Sequence, residues 1–475
     1  MMKRRVDFCI IGAGSGGLTV AAVAAQFDLK VILIEKNKMG GDCLNYGCVP
    51  SKALLAAGKR ARAMQTADVF GIDNVAPTID MMKVMSHVQG VIQTVSPHDS
   101  LERFIKLGVE VIFGEGRFID KKTVQVEGVF VEAKHFIIAT GTHPAIPPTP
   151  GLENVPYLTN ETVFSLKEKP THLIIMGGGP IGCELAQAFL DLGVKVTVLE
   201  MFQILPKDES EMVTILREKL IEAGVNLRER VKVLNCAKTN KGVLVTYENA
   251  HESYEIAGSH LLVATGRRVN IENLNLEAAS VKYNVRGIKV NAGLRTTNKR
   301  IYAIGDCIGR FQFTHAAGSH AGVVIRRTIF KLPAKMDEKA MPWVTYTHPE
   351  LAHVGLTKAM AEQQGISYHV AQFPFSDIDR AQAEHATMGG IMVLVGKKAH
   401  ILGATILGEN AGELIVPWGL AIQQGLKMSA MANMIVAYPT LSDITKRVAS
   451  HYYASTLYSA KMKKLVRWLN NIFLK

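Results

Sequence analysis

The sequence predicts an α/β chain made of two tandem units of one design, followed by a smaller α+β region. Three observations predict it. A strand, glycine loop, helix, strand and terminal acid occur in that order twice. A second strand running into a glycine turn follows each copy. Beyond a charged, proline-bounded connection over residues 331–342, the pattern changes to mixed strands and helices.

The first copy begins Val6–Asp7–Phe8–Cys9–Ile10–Ile11 and enters Gly12–Ala13–Gly14–Ser15–Gly16–Gly17. A helical stretch over 18–27 follows, then the apolar run Val31–Ile32–Leu33–Ile34, ending at Glu35. The second copy begins His172–Leu173–Ile174–Ile175–Met176 and enters Gly177–Gly178–Gly179–Pro180–Ile181–Gly182. Its helical stretch covers 183–192 and its second strand 194–199, ending at Glu200. Each acid lies 23 residues after the first glycine of its loop. In such a loop the first glycine permits a tight turn, the second lets the backbone approach a pyrophosphate, and the third lets the helix pack closely. The helix start offers free N–H groups and a positive dipole end to phosphates. The acid accepts a hydrogen bond from a ribose hydroxyl. Gly12, Gly14, Gly17 and Glu35 are therefore candidates for one dinucleotide, and Gly177, Gly179, Gly182 and Glu200 for a second.

The second matching pair is His135–Phe136–Ile137–Ile138–Ala139–Thr140–Gly141 and His260–Leu261–Leu262–Val263–Ala264–Thr265–Gly266. It adds Thr140 and Gly141 to the first candidate set and Gly266 to the second. Two Rossmann-like folds in tandem are the simplest reading. Glu200 repels a 2′-phosphate, and residues 201–206 supply no arginine to bind one. The second nucleotide is expected to be NADH. Pro144, Pro147, Pro148 and Pro150 mark the linker between the two units. In the last region, strands are expected over 391–395 and 401–407, and helices over 412–424 and 441–457.

Composition narrows the class. The chain has 475 residues, 48% hydrophobic and 20% charged, which is ordinary for a globular protein. Six cysteines in that length are too few for a disulfide scaffold, so mostly reduced thiols in a reducing compartment are expected. The net charge of +12 is concentrated: residues 446–475 hold seven cations and no acid. The remainder is only mildly basic, so no nucleic-acid surface is expected. Lys3, Arg4 and Arg5 before an apolar stretch imitate an export signal, but Gly12, Gly14, Gly16 and Gly17 break that stretch. Cleavage there would remove a dinucleotide loop. No apolar run reaches the ~18 residues of a membrane-spanning helix.

The segment Gly40–Gly41–Asp42–Cys43–Leu44–Asn45–Tyr46–Gly47–Cys48–Val49–Pro50–Ser51–Lys52 holds two cysteines five positions apart. In a straight helix they are ~7.5 Å apart along the axis alone, beyond the ~7 Å reach of a bridge. A disulfide here requires an irregular turn, which Gly47 eases. A helix starting near Cys48 favours the thiolate. Zinc is not expected, because no second Cys/His pair has suitable spacing.

This segment resembles the active-site segment of the pyridine nucleotide–disulfide oxidoreductases, the family of dihydrolipoamide dehydrogenase, glutathione reductase and mercuric reductase. The resemblance extends from Asp7 to about Tyr453. Thr296–Thr297–Asn298–Lys299–Arg300–Ile301–Tyr302–Ala303–Ile304–Gly305–Asp306 is similar to the family's second FAD motif, where Gly305 and Asp306 meet the flavin's ribityl chain. Tyr346–Thr347–His348–Pro349–Glu350 is similar to the entry to its dimer-interface domain. The resemblance implies an FAD-binding domain over 1–147 and 273–340 and an NAD(H)-binding domain over 148–272. It further implies an α+β dimerisation domain over 341–460 and leaves a basic amphipathic tail over 461–475. It implies that Cys48 sits nearest the flavin as a thiolate and that Cys43 meets the substrate. Lys52 is implied to approach flavin N5 and pair with Glu184. A homodimer follows from the same resemblance, and the reduced thiols make a cytoplasmic location the expectation.

Two departures bear on substrate. Disulfide-reducing members carry a His-Pro-Thr segment near the C-terminus, with Glu five residues after the His. Here the segment is Tyr438–Pro439–Thr440–Leu441–Ser442–Asp443. Imidazole titrates near ~6.5 and a phenol near ~10, so Tyr438 is a poor base at neutral pH. His348 and His353 are the remaining candidate bases. Mercuric reductase also has a tyrosine in this region, together with a C-terminal cysteine pair, whereas this sequence has no cysteine after Cys307. A disulfide, a metal ion and a quinone all remain as acceptors. The second departure is the tail. Leu465, Trp468, Leu469, Ile472 and Phe473 recur at helical spacing against Lys461, Lys464, Arg467 and Lys475. Such a helix suits the anionic inner face of a membrane, but the favoured expectation is packing against its own subunit or dimer mate.

Overall fold

The computed structural model describes residues 2–473, so Lys475 lies outside the described residues. The chain divides into two compact units. One comprises Met1–Ala67, Asp73–Gln203 and Gly224–Met336; the other comprises Asp68–Ile72, Ile204–Ala223 and Asp337–Lys475.

In the first unit the chain forms β1 (Met2–Ile11), α1 (Ser15–Gln26), β2 (Val31–Glu35), α2 (Gly41–Asn45) and α3 (Cys48–Gln65). Strands β3 (Glu110–Phe113), β4 (Arg117–Asp120), β5 (Thr123–Val126), β6 (Val129–Ile138) and β7 (Thr142–Pro144) follow. The repeat runs through β8 (Tyr157–Leu158), β9 (His172–Met176), α4 (Pro180–Asp191), β10 (Lys195–Glu200) and β11 (Asn226–Glu229). A three-stranded insert, β12 (Lys232–Thr239), β13 (Gly242–Asn249) and β14 (Glu252–Gly258), precedes β15 (His260–Val263). Then come β16 (Arg267–Val269), β17 (Ile301–Ala303) and α5 (Thr314–Thr328).

The two sheets share one order over four parallel strands, and the first continues from β6 through the antiparallel strands β5 and β4. The first runs β3-β2-β1-β6 with β17 on the far side of β6; the second runs β11-β10-β9-β15-β8. All these pairings are parallel, with Ile10 beside Leu33 and Ile137 in one sheet and Ile175 beside Val198 and Leu262 in the other. Parallel strands covered on both faces read as continuous apolar runs. Every residue of β2 and of β9 is buried.

The second unit holds a five-stranded antiparallel sheet. Its strands are β18 (Pro342–Thr345), β19 (Glu350–Gly355), β20 (His369–Pro374), β21 (Gly390–Val395) and β22 (Ile401–Gly408), in the order β18-β19-β22-β21-β20. Helices α6 (Val416–Gln423) and α7 (Asp443–Leu457) contribute Trp418, Ile444 and Val448 to its core. The last helix is α8 (Ala460–Phe473).

Local chemistry accounts for where elements differ from expectation. The helices of both glycine loops start three residues early, at Ser15 and at Pro180, where proline's missing N–H costs nothing at a first helical position. The single helix expected over 412–424 is two, Ala411–Leu414 and α6. Pro417 has no N–H to continue the ladder. Among the described residues, no helix is long and apolar enough to cross a membrane.

Candidate active site

The cysteine segment is bent where a bridge needs it. α2 stops at Asn45, and α3 starts at Cys48 with Gly47 as its cap. A Cβ on Gly47 would lie 3.1 Å from the Asp42 carbonyl oxygen and 3.3 Å from Cys43 Cα. The bare glycine thus admits the close approach of the two cysteine-bearing turns. Both cysteines are free thiols, and each perturbs the titration of the other. Several side chains hold the bend. Asn45 Nδ2 donates to the carbonyls of Met39 and Gly41 at 2.9 and 2.8 Å. Asn160, buried, donates to Asp42 Oδ1 and to the Tyr46 carbonyl, both at 3.2 Å. Arg267 pairs with the other Asp42 oxygen at 3.1 Å.

The electrostatics separate the two sulfurs. Cys48 is pushed down to about 6, chiefly by the hydrogen bond from Cys43, then by Thr314 and the Lys52 charge, against the effect of burial. Cys43 is raised, by its hydrogen bond to Cys48, by burial and by the Cys48 charge. Thr314 Oγ1 lies 3.5 Å from Cys48 Sγ. Thr314 is the first residue of α5, as Cys48 is of α3, so two helix N-termini meet at one sulfur. Their partial positive charges favour the thiolate.

Lys52, one turn into α3, places Nζ 2.7 Å from Glu184 Oε2 on α4. Glu184 is only 5% exposed. The two helices lie close: a Cβ on Gly58 would sit 3.2 Å from the Ala188 carbonyl, and Arg62 pairs with Asp191.

Both glycine loops have the shape of a pyrophosphate cradle. Gly12 has φ +107° and Gly177 φ +109°, and a Cβ on either would strike the Ala139 or Ala264 carbonyl oxygen at 2.3 or 2.4 Å. The third glycines are as tight, since a Cβ on Gly17 or Gly182 would lie 2.0 Å from the carbonyl of Gly12 or Gly177. The middle glycines are the opposite. A Cβ on Gly14 would meet only Gly41 Cα, at 3.9 Å, and one on Gly179 would meet nothing within 4 Å. Open space at the helix start is what an incoming phosphate requires. The same holds at Gly141 and Gly266, where an added Cβ also meets nothing within 4 Å.

The acids are held alike. Glu35 accepts from Ala13 N–H at 2.7 Å and Asn37 N–H at 2.8 Å; Glu200 accepts from Gly178 N–H at 2.6 Å and Phe202 N–H at 2.8 Å. Each carboxylate oxygen keeps a further lone pair for a ribose hydroxyl. Asp306 accepts from Thr142 Oγ1 at 2.9 Å, and burial raises its pKa. Gly305 N–H donates to His320 Nδ1 at 3.1 Å. Thr140 differs: its hydroxyl donates to the Asn270 carbonyl at 2.6 Å and ties the turn to the chain just after β16.

Cys43, Cys48, Lys52 and Glu184 thus come together in the first unit, whereas Tyr438 and Asp443 belong to the second. Tyr438 and Asp443 are not each other's partners. Tyr438 Oη donates to Asp379 Oδ2 at 2.7 Å, and Asp443 pairs with Arg447 at 2.9 Å. The bond to Asp379 raises the Tyr438 pKa further. Of the two histidines, His353 is fully buried, bonded to Thr405 and lowered to about 4 by burial, so it is no substrate base. His348 lies 2.9 Å from Glu409. Sequence reasoning missed Thr314, Asn160 and Arg267, each more than a hundred residues from the loop it supports.

The chain belongs to the pyridine nucleotide-disulphide oxidoreductase family, matching it over residues 6–321 and its dimerisation domain over residues 341–449. It is 34% identical over 446 residues to a mercuric reductase of Staphylococcus aureus, covering 93% of this chain and 82% of that protein. It is 36% identical over 448 residues to a dihydrolipoyl dehydrogenase of Geobacillus stearothermophilus, covering 93% and 94%. Among solved structures, a Cu(II) complex of the HOCl-induced flavoprotein disulfide reductase RclA from Escherichia coli superposes with a TM-score of 0.83 at 26% identity, covering 94% and 99%. The protein is an oxidoreductase of this family, whose cofactors are FAD and NAD(P)H.

Proposed function

We propose that this chain carries electrons from NADH, by way of bound FAD, to the Cys43–Cys48 pair and on to a small-molecule or metal acceptor. The observation that carries the reading is the pair itself: two thiols on turns drawn together at Gly47, with two helix starts and the Lys52 ammonium bearing on Cys48. Bound FAD would supply the conversion of a hydride into an electron pair that a disulfide can accept. Residues 1–147 and 273–340 would hold it through Gly12, Gly14, Gly17, Glu35, Thr140, Gly141, Gly305 and Asp306. Residues 148–272 would hold NADH through Gly177, Gly179, Gly182, Glu200 and Gly266. Two electrons and one proton open the disulfide to a Cys43 thiol and a Cys48 thiolate, the distribution favoured by their opposite pKa shifts. Lys52, oriented by Glu184, stabilises negative charge beside that thiolate.

The preference for NADH is supported by Glu200, and Glu229 lies across the strand ladder from it. A 2′-phosphate at the Glu200 carboxylate would meet negative charge. The match to the dimerisation domain supports a homodimer through residues 341–460. The location proposed is cytoplasmic.

One observation favours a second reading, metal reduction. Dithiol exchange with an organic disulfide uses a proton shuttle, and the Tyr438 hydroxyl is engaged by Asp379 with its pKa raised. A thiophilic metal ion binds sulfur directly and needs no such base. Proteins named mercuric reductase and a copper-bound RclA stand among the similar chains.

Anaerobic titration of the flavoprotein with NADH, followed by alkylation and peptide mass spectrometry, tests the relay. Both Cys43 and Cys48 should become alkylatable, and Cys48→Ser should abolish the long-wavelength absorbance of the reduced protein. Flavin bleaching without new thiols would refute the relay. Disulfide, mercuric and cupric acceptors then discriminate between the two readings.

A further inference from the structure

Among the described residues, none buries any side chain of the last helix. α8 contains no buried residue, and Trp468 and Phe473 are 60% and 82% exposed. It is a separate element rather than a continuation of α7: Tyr458 ends α7, and Ser459 Oγ accepts from Met462 N–H at 3.3 Å to cap the new start. The expected packing against its own subunit is therefore not seen among the described residues.

At about 100° per residue, Met462, Leu465, Val466, Leu469, Ile472 and Phe473 share an arc of about 120°. Lys463, Lys464, Arg467, Asn470 and Asn471 occupy the opposite side. Lys461 and Trp468 sit at the border. No acidic residue follows Asp443. A helix of this length is marginal in water unless its apolar face is buried. The cover must therefore offer both hydrocarbon and negative charge.

A second copy of the same helix is a poor match, because residues 446–475 hold seven cations and no acid and would set cation against cation. An anionic bilayer satisfies both requirements. We propose that α8 is a lipid-surface anchor lying in the plane of an anionic membrane. Leu465, Leu469, Ile472 and Phe473 enter the acyl boundary, and Lys463, Lys464 and Arg467 lie among the phosphates. Trp468 sits at headgroup depth, where aromatic rings are favoured, and the stem of Lys461 snorkels outward. The proposal is independent of the acceptor. It adds a place where the enzyme works, beside acceptors dissolved in or held at the membrane.

The test uses the full-length flavoprotein and a chain ending at Ser459, sedimented with phosphatidylcholine vesicles with and without phosphatidylglycerol. The full chain should pellet only with the anionic vesicles. The shortened chain should remain at least ~10-fold more in the supernatant, with NADH-linked flavin reduction unchanged. Each of Lys463→Gln, Lys464→Gln and Arg467→Gln should lower the partition about five-fold, and added salt should release the protein. Should the shortened chain fold poorly, full-length Leu469→Glu carries the same test and should lose binding. Equal pelleting of full-length, shortened and Leu469→Glu proteins overturns the proposal, as does binding that ignores phosphatidylglycerol. So does a full chain indifferent to vesicles whose shortening reduces its mass by light scattering, which would make α8 a subunit contact.

Discussion

Thr314→Val isolates one contribution to the reactive thiolate. Valine keeps the β-branched shape and the helix start of α5 but removes the hydroxyl 3.5 Å from Cys48 Sγ. Hydrogen bonds to charged groups are worth about 1.5–3 kcal/mol. The length of this one and the solvent contact of Cys48 reduce it to about 1 kcal/mol. At ~1.4 kcal/mol per pKa unit, the Cys48 pKa should rise by about 0.7. The thiolate is present above its pKa and is lost as pH falls through it. From a starting value of about 6, the thiolate fraction at pH near 6 should drop from about one half to about one sixth. At pH 8 it should be nearly unchanged. The assay is the pH profile of Cys48 alkylation by iodoacetamide in the reduced protein, resolved from Cys43 by peptide mass spectrometry. Thr314→Ser, which retains the hydroxyl, should follow the parent profile. An unmoved midpoint, or a uniform loss of rate at every pH, would refute the assignment of Thr314 as a thiolate donor.

Gly14→Ala and Gly179→Ala should fold, with Tm within about 3 °C of the parent, because their new methyls meet open space. They should lose FAD retention and NADH affinity respectively, at least ~10-fold, since the methyl occupies the phosphate cradle. Gly12→Ala is the contrasting control: its methyl would strike the Ala139 carbonyl from a positive-φ position. It should cost more than about 3 kcal/mol in denaturant unfolding. Glu200→Gln should lower the NADH to NADPH ratio of kcat/KM by about 10-fold, one ionic contact's worth; a parent enzyme that already prefers NADPH would overturn the reading. Tyr438→His places an imidazole near Asp379, a carboxylate able to orient it, and should raise lipoamide turnover at least ~10-fold. No gain would mean that the pocket, not the missing base, excludes lipoamide.

What the sequence revealed and what it hid divides by range along the chain. Each glycine loop is defined by neighbours within one strand and one helix, so its strand–loop–helix course and its terminal acid were legible. The bend at Gly47 was legible too, because five-residue spacing is incompatible with a straight helix. Thr314, Asn160 and Arg267 were not, because nothing near them in sequence marks their approach to a loop at 42–48. The pairing of Ala139 with Gly12, and of Ala264 with Gly177, was hidden for the same reason, although both segments were recognisable as matched strands. Helix 412–424 was misread because its apolar spacing outweighed Pro417. The tail's two faces were plain in the sequence, but whether protein covers them depends on where α7 ends.

The duplication also explains why Lys52 is where it is. The first copy inserts α2 and α3 after its acid, and these carry both cysteines. The second copy has a single helix there, Ser210–Ala223, without a cysteine; its glycine-loop helix, α4, lies alongside α3 at Glu184, Ala188 and Asp191. Pairing a buried carboxylate with an ammonium is a weak way to gain stability, since desolvation offsets much of the attraction. Hydrophobic residues would pack two helices as well. The pair makes sense as positioning: Lys52 lowers the Cys48 pKa and Glu184 raises it. The carboxylate thus weakens the very effect that its lysine provides. A site built only for the strongest thiolate would omit Glu184, whereas one that must hold a cation at a set place beside sulfur needs it. On the proposed relay, the second copy would therefore do more than hold a nucleotide: through one helix it positions the charge beside Cys48.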